Sequence, residues 1–99
     1  MVLIAEDNTD IAEYIGSLLH HRYEVHVAND GYEALLKAEE LNPDLLITDI
    51  MMPEMDGYEL CRQMRQSDFL CHIPIIVVTA RGEDTDRIRG IEEGADVYL

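Results

Sequence analysis

Three carboxylates and one hydroxyl follow directly after short apolar runs in this 99-residue chain. Glu6 and Asp7 end the first such run, Asp49 ends the third and Thr79 follows the fourth. Carboxylates that come close together repel and raise each other's pKa values unless a cation lies between them. Mg²⁺ above all suits one or two carboxylates together with a backbone carbonyl and water. The residue types therefore predict a magnesium site, provided that the fold brings the carboxylates together.

The elements that would position these side chains alternate along the chain. Short runs of aliphatic and β-branched residues predict strands, and apolar residues at helical spacing predict amphipathic helices between them. Asn8, Asp30-Gly31 and Asp56-Gly57 stand where helices should begin. The predicted strands cover residues 2–5, 23–28, 45–49 and 75–78 and the start of a fifth at 97–99, with helices beginning near residues 9, 31, 58 and 82.

This alternation predicts parallel strands joined by right-handed helical crossovers, which is a doubly wound α/β sheet. Such a sheet collects the carboxyl ends of its strands at one edge, where ligands bind. In the order 2-1-3-4-5, which is an established order for sheets of this class, the first and third strands are neighbours at the switch point. Glu6, Asp7 and Asp49 are then expected to share one crevice.

Each of these features has an ordinary explanation when it is taken singly. Glu6-Asp7-Asn8 is typical of a helix cap, Asp49 of a loop carboxylate and Thr79 of a polar strand end. Their joint position at strand ends, with Met52-Pro53 and Asp56-Gly57 at fixed offsets, favours the functional interpretation.

Length and charge limit the classes of function. The chain is expected to form one domain over residues 1–99, since 99 residues leave no room for two. A net charge of −14 argues against nucleic acid or an anionic membrane as the direct partner, because phosphates would be repelled. Cys61 and Cys71 match no zinc or redox spacing and are interpreted as free thiols in a reducing cytoplasm. No segment approaches the length of a membrane span.

Together these residues resemble the receiver domain of two-component response regulators over essentially the whole chain. The resemblance implies the flavodoxin-like (βα)5 receiver fold. The motifs that carry it are Glu6-Asp7, Asp49 with Met52-Pro53 and Asp56-Gly57, Thr79-Ala80, and Gly94-Ala95-Asp96 leading to Tyr98.

The resemblance implies a role for each acid. Asp49 is the phosphate acceptor, which takes a phosphoryl group from a phosphohistidine of a histidine kinase or phosphotransfer domain. Asp7, Asp49 and the backbone carbonyl of Met51 hold Mg²⁺, and Glu6 acts mainly through water. The chain would then be a signalling module that assists its own phosphorylation and dephosphorylation, and not a turnover enzyme.

The resemblance also implies a switch. Thr79 bonds a phosphoryl oxygen once Asp49 is modified, small Ala80 leaves room for it, and Tyr98 turns inward as Thr79 moves. The added negative charge would then bias the loop after the fourth strand, together with the fourth helix, and so regulate an output domain.

The sequence departs from the family pattern at its end. Receivers carry a lysine two or three residues beyond the aromatic residue, whereas this chain stops at Leu99 and its only lysine, Lys37, lies in the second helix. We therefore expect a domain excised or truncated before its fifth helix, from a longer regulator or a hybrid sensor kinase. The apolar sheet face would be partly open, so we expect a homodimer, strand exchange or marginal stability.

Two alternatives have sequence features that discriminate them: a degenerate receiver, and an enzyme on the same architecture that is either a nucleotide or flavin binder or a phosphatase. A degenerate receiver would act only as a protein-interaction module, and the intact acids argue against it. A nucleotide or flavin binder would need a glycine-rich turn after the first strand, where Glu6-Asp7-Asn8-Thr9 stands. A phosphatase of the aspartyl-phosphate type would need a second acid two residues after Asp49, where Met51 stands.

Overall fold

A five-stranded parallel sheet flanked by helices forms the molecule in the computed structural model, which describes residues 1–78 and 92–98. The strand order is β2-β1-β3-β4-β5, as expected for the doubly wound class. Within the described residues, no helix has the length and apolar character needed to cross a bilayer. The strands are β1 Val2–Ala5, β2 Val25–Ala28, β3 Leu45–Thr48, β4 Ile75–Val77 and β5 Val97–Tyr98, and the helices are α1 Thr9–Leu19, α2 Gly31–Leu41 and α3 Gly57–Gln66.

Most predicted elements are confirmed, with small differences at their ends. The second strand begins at Val25 instead of Tyr23, and the third ends at Thr48, one residue before Asp49. The predicted fourth helix begins among residues that lie outside the described ranges, as do Thr79 and Ala80.

Successive side chains of the central strands point to opposite faces of the sheet. Leu3 and Leu46 belong to the larger apolar core, which also contains Leu60 and Met64 of α3. Ile4 and its neighbours on the other face form a second, smaller cluster. Both faces of β1 are therefore buried, which explains why its four residues are all apolar.

Helix α1 buries only part of the apolar face that its spacing predicts. Ile15 and Leu19 pack against the smaller cluster, whereas Ile11 is 46% exposed and Leu18 is 64% exposed. The buried side of α1 is centred on Ala12, Ile15 and Leu19, which leaves Ile11 and Leu18 on its flank.

The only lysine of the chain lies against the outer edge of β2. Main-chain nitrogens of the neighbouring β1 segment bond to Glu24 O and Ala28 O, so the alternating carbonyl of Val27 points away from β1. Lys37 Nζ donates to Val27 O at 2.6 Å and pairs with Glu33 at 3.1 Å. The side chain therefore occupies one acceptor on a sheet edge.

Arg65 joins the end of α3 to the starts of β4 and β5. Its partly buried guanidinium reaches four acceptors, and the carboxylate among them also accepts from Ile75 N at 2.7 Å. The acceptors are Cys71 O, Ile73 O, Gly94 O and Asp96 Oδ2, at 2.7–2.9 Å.

Candidate functional site

Three carboxylates lie together at the carboxyl edge of the sheet, as the sequence predicted. The last residues of β1 and β3, Ala5 and Thr48, are paired side by side, so the residues that follow leave the sheet at the same point. One carboxylate oxygen from each of Glu6, Asp7 and Asp49 lies within 4.8 Å of the other two. Glu6 is buried and Asp7 is exposed, so the cluster opens to solvent on one side.

Main-chain hydrogen bonds fix the points from which these carboxylates extend. Asp49 N donates to Ala5 O at 3.0 Å, and Glu6 N donates to Ala28 O at 3.0 Å. The Asn8 side chain accepts from the first turn of α1 and so begins the helix directly after the two acids. Backbone that is held in the sheet or at a helix start therefore carries all three carboxylates.

The loop between β3 and α3 is closed by a tight turn. Met55 N donates to Pro53 O at 2.7 Å, which closes a turn of three residues. Glu54 at its centre has a φ of 67°, in the left-handed region that few residues other than glycine adopt. Strained backbone of this kind costs about 1–3 kcal/mol and is concentrated at functional sites. No sequence pattern predicted this strain at Glu54.

Gly57 allows the start of α3 to lie against the backbone of Asp49. Gly57 N donates to Ile50 O at 2.9 Å. A Cβ atom built on Gly57 would collide with the carbonyl oxygen of Asp49 and would lie 2.9 Å from Ile50 Cα. The Asp56 carboxylate caps the helix here by accepting from Glu59 N at 2.9 Å, as predicted. A larger residue at position 57 would displace the backbone that carries the Asp49 carboxylate.

The carboxyl group of Glu6 is buried, and one of its oxygen atoms has no hydrogen-bond partner among the described residues. Its side chain is only 4% exposed, and within residues 1–78 and 92–98 its Oε2 atom has no hydrogen-bond partner. Burial, followed by the negative charge of Asp49 and a hydrogen bond with Asp7, raises the pKa of Glu6 from 4.5 to about 7. The cluster therefore holds more negative charge than its surroundings offset.

This donor set fits a hard divalent cation such as Mg²⁺. All three groups offer carboxylate oxygen, the ligand that Mg²⁺ prefers. The buried Oε2 of Glu6 has no partner in the part of the chain that the structure describes, and the pKa of Glu6 is raised. Both observations indicate negative charge that a cation would offset.

An apolar groove of about 320 Å³ adjoins the cluster. It lies on the sheet face that α1 covers, and its walls are mainly aliphatic side chains of β1, β3 and α1, with two acids of the cluster among its lining. The lining residues are Ile4, Ala5, Glu6, Ile11, Ile15, Ile47, Thr48, Asp49 and Val78.

The other predicted site residues are only partly described. Thr79 lies outside residues 1–78 and 92–98. Tyr98 belongs to β5, where its backbone is paired with Val77 of β4. Met51 lies in the loop after Asp49 with its side chain 57% exposed, and the metal-binding role of its carbonyl stays a prediction.

Thr48 was not among the predicted site residues, although it contacts the backbone of Asp49. Its side chain is 1% exposed, and its Oγ1 donates to the backbone carbonyl of Asp49 at 2.8 Å. The available signal was a hydroxyl at the end of an apolar strand, on the same face as buried Leu46.

Comparison with known proteins gives one consistent result. Residues 2–99 match the family model described as the response regulator receiver domain. The chain is 40% identical over 99 residues to the alkaline phosphatase synthesis transcriptional regulatory protein PhoP of Bacillus subtilis, a match that covers 99% of this chain and 40% of that protein. It is 37% identical over 99 residues to the hybrid signal transduction histidine kinase D of Dictyostelium discoideum, covering 100% of this chain and 6% of that protein. The chain thus spans less than half the length of either relative.

Solved structures of similar sequence share the fold. A putative response regulator from Chloroflexus aurantiacus superposes with a TM-score of 0.94 at 39% identity, covering 99% of this chain and 81% of that one. The receiver domain of a sensor histidine kinase from Pseudomonas aeruginosa superposes with a TM-score of 0.90 at 31% identity and the same coverage. That receiver domain was solved with a magnesium ion coordinated in its active site cleft.

Proposed function

Because the chain belongs to the response regulator receiver domain family, we propose that it is a phosphoacceptor whose Asp49 takes a phosphoryl group from a phosphohistidine. The observation that carries the proposal is the grouping of Glu6, Asp7 and Asp49 within 4.8 Å at the carboxyl edge of the sheet. Asp49 is half-buried, so its carboxylate is both held by the fold and open to an incoming group.

In the proposed reaction, a carboxylate oxygen of Asp49 attacks the phosphorus atom in line with its bond to the histidine nitrogen. The new oxygen–phosphorus bond forms as the phosphorus–nitrogen bond breaks, and the electron pair returns to the imidazole. The product on Asp49 is an acyl phosphate. The bond from Asp49 N to Ala5 O and the close approach of Gly57 hold the attacking residue in one position, which lowers the entropic cost of the reaction.

We assign the metal ligands to Asp7, Asp49 and the carbonyl oxygen of Met51, with Glu6 acting mainly through water. When bound, Mg²⁺ supplies positive charge that offsets the carboxylates and the oxygens of the incoming phosphoryl group. The Oε2 atom of Glu6, which has no hydrogen-bond partner among the described residues, supports this assignment, as does the magnesium ion in the similar receiver domain from Pseudomonas aeruginosa.

We further propose that Thr79 and Tyr98 form the switch that responds to modification of Asp49. The pairing of β4 with β5 supports a link between these two residues. Tyr98 is paired with Val77, and Val77 comes two residues before Thr79 in the sequence. The negative charge of a phosphoryl group would favour one arrangement of this region and so alter contacts with an output domain.

The proposed module is a receiver domain over residues 1–99 that acts in the cytoplasm and is not a turnover enzyme. Its partners are a histidine kinase or phosphotransfer domain and an output domain of its parent protein. Relatives named as a transcriptional regulator and as a hybrid kinase support both kinds of parent. The net charge of −14 favours basic or metal partners over nucleic acid and anionic membranes.

Acetyl phosphate with Mg²⁺ tests this function. We expect the intact mass to increase by one phosphoryl group, and we expect no increase for Asp49→Asn or after removal of Mg²⁺. A chain that binds Mg²⁺ but is never modified would contradict the proposal and favour a degenerate receiver. Continuous hydrolysis of a phosphate ester would instead favour the phosphatase.

A further inference from the structure

The geometry points to Thr48 as a positioning residue for Asp49, an inference that rests on the proposed function. The Thr48 side chain is 1% exposed, and its hydroxyl donates to the backbone carbonyl of Asp49 at 2.8 Å. The hydroxyl does not reach out of the strand toward a reacting group. It acts on the backbone carbonyl of the next residue, Asp49, whose side chain is the proposed phosphate acceptor.

The carbonyl oxygen of Asp49 is restrained from two directions. Thr48 Oγ1 donates to it, and Gly57 lies so close that a Cβ atom there would collide with it. At the other end of the same residue, Asp49 N donates to Ala5 O at 3.0 Å. With its N–H and its C=O both held, Asp49 has little freedom in φ and ψ, so the direction of its Cα–Cβ bond is fixed.

The residue type at position 48 supports this role. Thr48 lies on the same face of β3 as Leu46, which is fully buried in the larger core. Valine has nearly the same shape and would fill this place without bringing a hydroxyl into the interior. A buried hydroxyl stabilises a protein little, because its hydrogen bond mainly offsets the loss of water. The hydroxyl is therefore better explained by the carbonyl that it orients than by packing.

Loss of this bond should affect the reaction more than the fold. Without it, the Asp49 carboxylate would occupy the attacking orientation for a smaller fraction of the time. One neutral hydrogen bond corresponds to a decrease of roughly three- to tenfold in the phosphorylation rate. Because the Met51 carbonyl follows on the same loop, Mg²⁺ affinity should decrease in the same direction.

Two substitutions separate positioning from packing. Thr48→Val removes the hydroxyl and keeps the volume, whereas Thr48→Ser keeps the hydroxyl and removes a methyl group. We expect the modification rate by acetyl phosphate at saturating Mg²⁺ to be highest for the unsubstituted chain, close to it for Thr48→Ser and lowest for Thr48→Val. We expect the free energy of unfolding to follow the opposite order for the variants, with Thr48→Val the more stable and Thr48→Ser the less stable.

The two orders decide the inference. Equal rates for Thr48→Val and the unsubstituted chain would overturn it, as would rates that simply follow stability. If no chain were modified, the proposed function would fail. Calorimetric titration with Mg²⁺ would then decide whether Thr48 positions Asp49. Binding that is weakened by Thr48→Val and restored by Thr48→Ser would support the positioning role, and unchanged binding would refute it.

Discussion

Replacement of Glu6 by glutamine tests the electrostatics of the acidic cluster. In the folded chain the pKa of Glu6 is raised from 4.5 to about 7, first by burial and then by the charge of Asp49. A pKa that is higher in the folded than in the unfolded chain means that protonated Glu6 favours the fold and that charged Glu6 opposes it. This stabilisation is complete below a pH of 4.5 and is lost as the pH rises through about 7.

The expected change in stability follows from the difference between the pKa of Glu6 in the folded chain and its pKa in the unfolded chain. The rise in the pKa of Glu6 from 4.5 to about 7 corresponds to a loss of about 3 kcal/mol of unfolding free energy at alkaline pH. Because the cluster opens to solvent through exposed Asp7, screening should reduce this to about 2 kcal/mol. We therefore expect Glu6→Gln to be more stable than the unsubstituted chain by about 2 kcal/mol at about pH 8, roughly 10 °C in Tm. Near pH 4.5 the two chains should have the same stability.

Urea unfolding monitored by circular dichroism, without divalent cations and across the range from about pH 4.5 to about pH 8, measures this difference. Glu13→Gln is a matched control, because it removes the same charge from an exposed position on α1. Added Mg²⁺ should stabilise the unsubstituted chain more than Glu6→Gln and so narrow the gap. A stability difference between Glu6→Gln and the unsubstituted chain that does not change with pH would show that burial does not raise the pKa of Glu6.

Two further predictions concern the framework around the site. Arg65→Gln removes the guanidinium that holds three main-chain oxygens and a carboxylate, and it should lower the free energy of unfolding by about 2–3 kcal/mol in urea titrations. Arg62→Gln, which removes exposed ion pairs of the same helix, should cause a much smaller loss, and equal losses would contradict this account. Exposed Cys71 should react with a thiol reagent in the native chain, whereas buried Cys61, whose pKa burial raises to about 12, should react only on unfolding. Mass spectrometry of the labelled native chain measures this difference. Labelling of both cysteines would contradict the prediction and show that the core opens readily.

The fold was predictable because local signals agreed with one another. The four-residue apolar run of β1, the capping carboxylates Asp30 and Asp56 and the alternation of strands and helices all indicated a doubly wound sheet. The meeting of Glu6 with Asp49 then followed from topology, because parallel neighbours end at the same edge.

Features that depend on tertiary contacts could not be read in this way. The burial of Glu6 and the strain at Glu54 depend on how the loops close over the sheet edge. The acceptors of Arg65 lie up to 31 residues away from it in the chain, and three of them are main-chain oxygens that no sequence pattern marks. The bond from Thr48 to Asp49 joins adjacent residues, but its direction depends on a rotamer that only packing selects.

The contact between Lys37 and Val27 has a consequence for handling the protein in the laboratory. Apart from the N-terminal amine, coupling reagents that target primary amines can attach at only one side chain in this sequence, and its ammonium group is held against β2, a strand at one edge of the sheet. Acylation at that point would cancel the positive charge and release the carbonyl that it covers. An exposed strand edge with unpaired backbone groups is a template for pairing with another polypeptide. Tags and surface immobilisation are therefore better directed at Cys71 than at the lysine.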